Sequence, residues 1–366
     1  MPSSNSLITP ERLRHRLDTR TKPLGSLGQL ETLAVHIGLV LQSETPRFAQ
    51  PRIFVFAGDH GIAAEGVSAF PQAVTAQMVA NYLSGGAAIN VLARQHGIAL
   101  SVINAGVATA VNAMSACAGD TSGPASLPRS SARDKRLAQP ELIDRSIGAG
   151  TRNAAVESAM SHEQCDGAIA EGRQLAADAI ASGSNVLMLG EMGIANTASA
   201  SLVLHRLTNW PLQRCVGRGT GLDDAGLAHK LSVLERATAR VPGPLSPTAV
   251  LREFGGFELA MIVGVILECA QHRCIAVIDG FAVSVCALLA QALNPRALEH
   301  CVFSHCSAEQ AHRALLGHLG VKPVLDLGMR LGEGTGAALA WPVLDSSIRL
   351  MADMASFEAA GVSDRM

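Results

Sequence analysis

Two carboxylates stand alone in glycine loops: Glu191 in "GEMG" (190–193) and Glu333 in "GEGTG" (332–336). Glu333 is the only charged residue between Arg330 and Asp345. Apolar neighbours raise a carboxylate's pKa and move it toward use as a general base near neutral pH. An acidic residue in the first turn of a helix is also favoured by the helix dipole, and "GEGTGAALA" reads as a helix start. Residue physics alone leaves Glu333 open between these two roles. Three glycine-rich loops compete for a phosphate: "GAGTRN" (148–153), "GRGTGLDD" (217–224) and "GEGTG". None carries the Gly-Lys-Ser/Thr of a Walker loop, and none completes GxGxxG after a first strand, so a dinucleotide oxidoreductase is weakly supported. Glycine turns at helix starts still present backbone N–H groups to an anion, and with Thr or Asn nearby they point to a phosphate or ribose site. Lys230, closing "GTGLDDAGLAHK" one helix after such a turn, is a candidate phosphate anchor.

His60 in "GDHG" and His305 in "SHCS" lack partners at zinc-site spacing, so they read as supporting or packing residues and no metal is expected. No GxSxG elbow occurs, which disfavours a Ser-His-Asp hydrolase.

These residues need a scaffold, and the chain alternates short β-rich runs with helix-like ones. Residues 52–61, 99–106, 185–193 and 274–281 read as four buried strands, each running into glycine and a polar residue. Helix-like runs cover 72–95, 163–181, 225–240, 257–271, 283–292 and 308–319. Such alternation implies parallel crossovers and a sheet covered by helices on both faces. Ligands then sit beyond the carboxyl ends of the strands, where the polar residues of GDHG, GEMG and IDGF converge. Residues 109–139, rich in Ser, Gly and Ala, read as a long surface excursion. Both chain ends are helical and pair as a smaller element. No internal repeat is present.

The totals bound the partners. The chain has 366 residues, 48% of them hydrophobic, with a net charge of −2, which gives no general attraction to nucleic acid or anionic membrane. Aromatics are 3%, too few for base-stacking platforms. Eight cysteines without a CxxC pair suit buried free thiols in a reducing cytoplasm. The N-terminal twenty residues lack the apolar core of a signal peptide, and the longest apolar run, 259–270, is too short to span a bilayer. A cytoplasmic protein acting on small molecules is expected.

Several long motifs then resemble one family. They are "TKPLGSLGQLE" (21–31), "AGDHGIAAEGVSAFPQAVTAQMV" (57–79), "GEMGIANTASA" (190–200), "VGRGTGLDDAGLAHK" (216–230), "FGGFELAMIVG" (254–264), "IDGF" (278–281), "SHCSAEQ" (304–310) and "LGEGTGAALA" (331–340). Collinear over nearly the whole chain, they resemble the nicotinate-nucleotide–dimethylbenzimidazole phosphoribosyltransferases of cobalamin lower-ligand assembly. The resemblance implies a Rossmann-like parallel α/β domain over 51–341, a small helical domain from 1–50 plus 342–366, and a homodimer with no cofactor. It places the catalytic base on Glu333 and the phosphate or ribose site on Glu191, Gly193, Lys230 and the loop Gly217, Gly219, Gly221. It places Phe70, Met78, Met192 and Leu331 around the lower-ligand base. Phe70, Met78 and Met192 stand where some members carry Ser, Gln and Leu, which makes the slot bulkier and less polar. Asn104 stands for a frequent Asp and Ser158 for a frequent Pro, with local effects expected. The rival readings are another α/β nucleotide-processing enzyme, such as a dinucleotide oxidoreductase, and a non-catalytic nucleotide-binding regulator.

Overall fold

The computed structural model describes residues 7–109 and 139–363; apart from its two end residues, the 109–139 excursion lies outside them. Six strands form one sheet: β1 (Arg52–Gly58), β2 (Ala99–Gly106), β3 (Glu141–Asp144), β4 (Val186–Met192), β5 (Ile275–Ile278) and β6 (Cys301–Phe303). Their order is β3-β2-β1-β4-β5-β6 and every pairing is parallel. The sheet is therefore doubly wound, with its direction of winding reversing between β1 and β4.

The helices follow in chain order. They are α1 (Pro10–Asp18), α2 (Gln29–Leu41), α3 (Val74–Ser84), α4 (Ala88–His96), α5 (His162–Ala181), α6 (Asn196–Thr208) and α7 (Leu212–Cys215). Then come α8 (Asp224–Ala239), α9 (Pro247–Phe254), α10 (Phe257–Cys269), α11 (Phe281–Leu293), α12 (His312–His318), α13 (Thr335–Asp353) and α14 (Phe357–Ala360). The expected run 72–95 is two helices, because the chain turns through left-handed Gly85 before α4 starts. Strands β3 and β6 were not anticipated; at four and three residues they are too short to show a period. Helices α6, α7 and α9 were also missed.

Alternation along the strands assigns the two faces. Phe54, Phe56, Leu187, Leu189, Ala276 and Ile278 join one apolar cluster with α5, α6, α10 and α11. Ile53, Val55, Val186, Met188, Ile275 and Val277 join another with α2, α3, α4 and α13. Helix α10 is buried along its length except at Glu268, which is why its sequence has no broad polar face. At the chain ends, Leu13, Leu17, Ala34 and Met351 make a small cluster, and Arg20 bridges to Ser356.

Helices α5 and α10 approach closely enough for backbone contact. A Cβ on Gly172 would lie 1.9 Å from the Met261 carbonyl, and one on Gly264 would lie 2.1 Å from that of Ile169. Gly172→Ala is therefore expected to lower stability by about 1–3 kcal/mol through overpacking, read as a lower urea midpoint. Gly317→Ala on α12, where a Cβ meets nothing within 4 Å, is the control, with a gain of about 0.5–1 kcal/mol expected.

Candidate active site

The ends of β1, β4 and β5 bring Asp59, Glu191 and Asp279 to one edge, at the point where the winding reverses. On β4, Glu191 stands level with Phe56 of β1 and Met192 level with Ala57. All three acids are buried.

Glu333 is held there by an unusual turn. Gly332, Glu333 and Gly334 have φ of 79°, 63° and 80°, three consecutive left-handed residues, and only the middle one has a side chain to oppose it. Such a conformation costs on the order of 1–3 kcal/mol and persists where its surroundings fix it. Two contacts fix it here. Gly190 packs under the turn, where a Cβ would lie 2.3 Å from the Gly334 nitrogen. Asp279 accepts hydrogen bonds from the Gly334 N–H (3.1 Å, Oδ2) and the Ala337 N–H (3.0 Å, Oδ1). The carboxylate that caps α13 is thus Asp279, from β5, and Glu333 is released from that role. His305 supports the clamp: its Nδ1 lies 3.1 Å from Ser304 Oγ and 3.8 Å from Asp279 Oδ1. Burial raises the Glu333 pKa, the Tyr82 hydroxyl pulls it back, and the Asp279 charge adds to the rise.

Beside this turn is a cavity of about 100 Å³ lined by Glu191, Met192, Gly193, Thr197, Gly219 and Leu331, with His305, Glu309 and Arg330 across from them. The first residues of α6 and α11 also line it, and neither helix has a side-chain cap. Both therefore turn a positive dipole end toward it. Lys230 is buried at one side, its Nζ donating to Thr197 Oγ1 (3.0 Å) and the Gly217 carbonyl (3.2 Å). Burial brings its pKa down to about 8, against the pull of Glu309. Gly219 is left-handed at φ 53°, and a Cβ there would lie 3.5 Å from Lys230 Nζ. The dipole ends, with Arg330 in the lining and Lys230 beside it, make this cavity a candidate anion cradle, although Glu191 and Glu309 line it too.

Glu191 is the anomaly in that cradle. Its neighbours are acids, and among the described residues its hydrogen-bond partner is the Asn196 amide. Burial, then the charges of Asp279, Glu258, Glu333 and Glu309, push its pKa to about 8. At neutral pH it carries its proton, so it can lie beside a phosphate as a donor.

The glycine loops separate by position. Gly217 and Gly219 adjoin Lys230, while Gly221, at φ 115°, stands in open space. The 148–153 loop packs instead on the end of β1, Thr151 N–H donating to the Asp59 carbonyl. Met78 and Met192, both partly buried, pack against the apolar cluster that includes Tyr82 and Ala337. Phe70 and Leu331 are exposed by half or more. His60 is fully buried between Glu258 (2.6 Å) and Ser199 (2.9 Å), a packing position. Asn104 ties β2 to Asp144 of β3, and Ser158 donates to Glu253. Sequence reasoning missed Tyr82, Thr197, Glu309 and Arg330. Thr197 and Glu309 lay inside quoted motifs, whereas Tyr82 reads as an ordinary core aromatic.

The proton on Glu191 has a consequence for stability. Between the ordinary carboxylate range and about pH 8 the unfolded chain has released this proton and the folded one retains it, so stability falls as pH rises through that window. Glu191→Gln removes the slope: its melting temperature relative to wild type is expected to be higher at pH 8 than at pH 5, by calorimetry at both.

A family model described as phosphoribosyltransferase matches residues 6–362. The nicotinate-nucleotide–dimethylbenzimidazole phosphoribosyltransferase of Ralstonia nicotianae is 50% identical over 97% of this chain and 94% of its own length. That of Dechloromonas aromatica is 51% identical over 96% and 95%. The crystal structure of CobT from Thermus thermophilus superposes with a TM-score of 0.86 at 39% identity, covering 97% of this chain and 99% of the other. The chain belongs to the nicotinate-nucleotide–dimethylbenzimidazole phosphoribosyltransferase family and is an enzyme of the pentosyltransferase class.

Proposed function

We propose that the protein moves the phosphoribosyl group of nicotinate mononucleotide to 5,6-dimethylbenzimidazole or a related base, giving α-ribazole 5′-phosphate and nicotinate for cobalamin synthesis, with Glu333 as general base. The observation that carries this reading is the release of Glu333 from helix capping: a buried carboxyl, raised in pKa, stands on a rigid turn beside an anion cradle. The nicotinate ring leaves as a neutral pyridine, so departure needs no acid. One benzimidazole nitrogen attacks the ribose C1′ from the opposite face, which inverts the linkage, while Glu333 takes the proton from the other nitrogen. Lys230, the Gly217–Gly219–Gly221 loop, Gly193 and the helix starts hold the phosphate, and protonated Glu191 donates to it. Phe70, Met78, Met192 and Leu331 provide the apolar slot for the base, and holding sugar and base in line supplies much of the acceleration.

The proposal includes a division into an α/β domain over 51–341 and a small domain from 1–50 plus 342–366. It also includes a cytoplasmic homodimer. Leu24, Phe70, Leu327 and Leu331 are all at least half exposed, which suits a covered apolar face, and the seven cysteines among the described residues, all buried and free, suit a reducing compartment. Light scattering is expected to give twice the 38.0 kDa chain mass.

Incubation with nicotinate mononucleotide and dimethylbenzimidazole, followed by chromatography, should show nicotinate and α-ribazole phosphate appearing together. Glu333→Gln is expected to fold normally and lose about 10²–10⁴ in kcat. Full activity in that variant overturns the base assignment. Lys230→Met should raise KM for the nucleotide more than it lowers kcat, and an unchanged KM removes Lys230 from the phosphate site.

A further inference from the structure

A second cavity, of about 870 Å³, opens at the amino ends of β5 and β6 and shares no lining residue with the candidate active site at their carboxyl ends. That volume suits a small molecule. Helix α2 contributes Thr32, Val35, His36, Leu39 and Val40, the three-and-four spacing of one helix face, while its Leu33, Ala34, Ile37 and Gly38 are buried. Residues 270–273 after α10 and Arg296, Glu299 and His300 ahead of β6 complete the lining. Val35, Leu39, Val40 and Ala270 make it partly apolar, and Glu299 is its one acid.

Two hydrogen bonds hold its polar groups together. His36 Nε2 lies 3.0 Å from the Glu299 carbonyl oxygen, next in sequence to His300. His300 Nδ1 lies 3.2 Å from the Cys274 carbonyl oxygen, next in sequence to Arg273. A carbonyl only accepts, so these two nitrogens carry protons. His36 Nδ1 and His300 Nε2 are therefore the nitrogens left for a ligand. The other charges are matched: Arg296 pairs with Glu299 (2.9 Å) and His272 with Glu268 (2.9 Å). Arg273 is exposed and, among the described residues, has no hydrogen-bond or ion-pair partner.

We propose that this cavity is a second anion site, taking a phosphate monoester with an apolar ring: Arg273 holds the phosphate, His36 and His300 donate beside it, and the ring lies on Val35, Leu39 and Val40. A guanidinium offers phosphate oxygens a planar fork of N–H groups, and an apolar lining rewards the ring that a bare ion lacks. With the cavity empty, burial and the neighbouring His300 hold His36 below the ordinary histidine range, and burial and Arg296 do the same to His300, against the pull of Glu299 and the two carbonyls. A phosphate beside these rings favours their charged forms, so each takes a proton from solvent and its second nitrogen becomes a donor.

The probe is 1-naphthyl phosphate, titrated by calorimetry into the whole protein, the Arg273→Gln and Arg273→Glu variants and Lys230→Met. Arg273→Gln is expected to weaken one class of site about tenfold or more, the size of a lost charge-assisted pair of hydrogen bonds, and Arg273→Glu to abolish it. Lys230→Met should leave that class intact, which separates it from the cradle near Glu333 whatever the reaction there. Inorganic phosphate and 1-naphthol, each lacking half of the ligand, should bind this site at least tenfold more weakly. Arg273 is exposed and unpartnered, so neither substitution removes a contact that the fold needs. Absence of binding outside the cradle overturns the proposal. So does binding that is the same in Arg273→Glu as in wild type, or that is lost in Lys230→Met.

Discussion

The structure depends on one displaced cap. In most helices the first turn is closed by a side chain adjacent in sequence. For α13 that place is taken by Asp279, arriving from β5 more than fifty residues earlier and bonding to Gly334 and Ala337. This contact ties the end of a central strand to the start of the helix that follows the Glu333 turn. It also bears on the charge: Asp279 takes up the Gly334 and Ala337 N–H groups at the start of α13, and burial is the largest influence on the proton affinity of Glu333.

The same logic divides the site into two electrostatic regions. Three helices, α6, α11 and α13, begin at this edge of the sheet. With α13 capped, the dipoles of α6 and α11 are left for an anion, and Lys230 and Arg330 stand on that side. Met78 and Met192 pack against the apolar cluster that includes Tyr82 and Ala337, so the side next to α13 is the less polar one. A phosphoribosyl donor and a flat apolar acceptor would therefore be sorted by charge before any ring-specific contact is made.

Much of this architecture was legible because buried parallel strands are written as apolar runs ending in glycine and a polar residue. β1, β2, β4 and β5 all have that form. β3 and β6 pair along only one edge and are too short for a pattern to register. The isolated acids Glu191 and Glu333 were legible for a similar reason: a charge among glycines and apolar residues has few structural uses. What the chain could not disclose was strand order, and the role of Asp279 depends on it. "IDGF" marks a polar strand end, but only the adjacency of β4 and β5 brings that end under residues 332–337.

The strain in the turn follows from these constraints together. Glu333 could sit in relaxed backbone if it were one residue later, inside the first turn of α13, but its side chain would then point back along the helix and share the dipole with Asp279. At φ 63° it stands instead between two left-handed glycines, just ahead of the Gly334 cap position. Gly190 permits this because the turn rests directly on the backbone of β4, with no side chain between them. A cost of on the order of 1–3 kcal/mol in backbone conformation thus separates two carboxylates that would otherwise compete for one helix end. Asp279 can then serve structure while Glu333 remains free to exchange a proton.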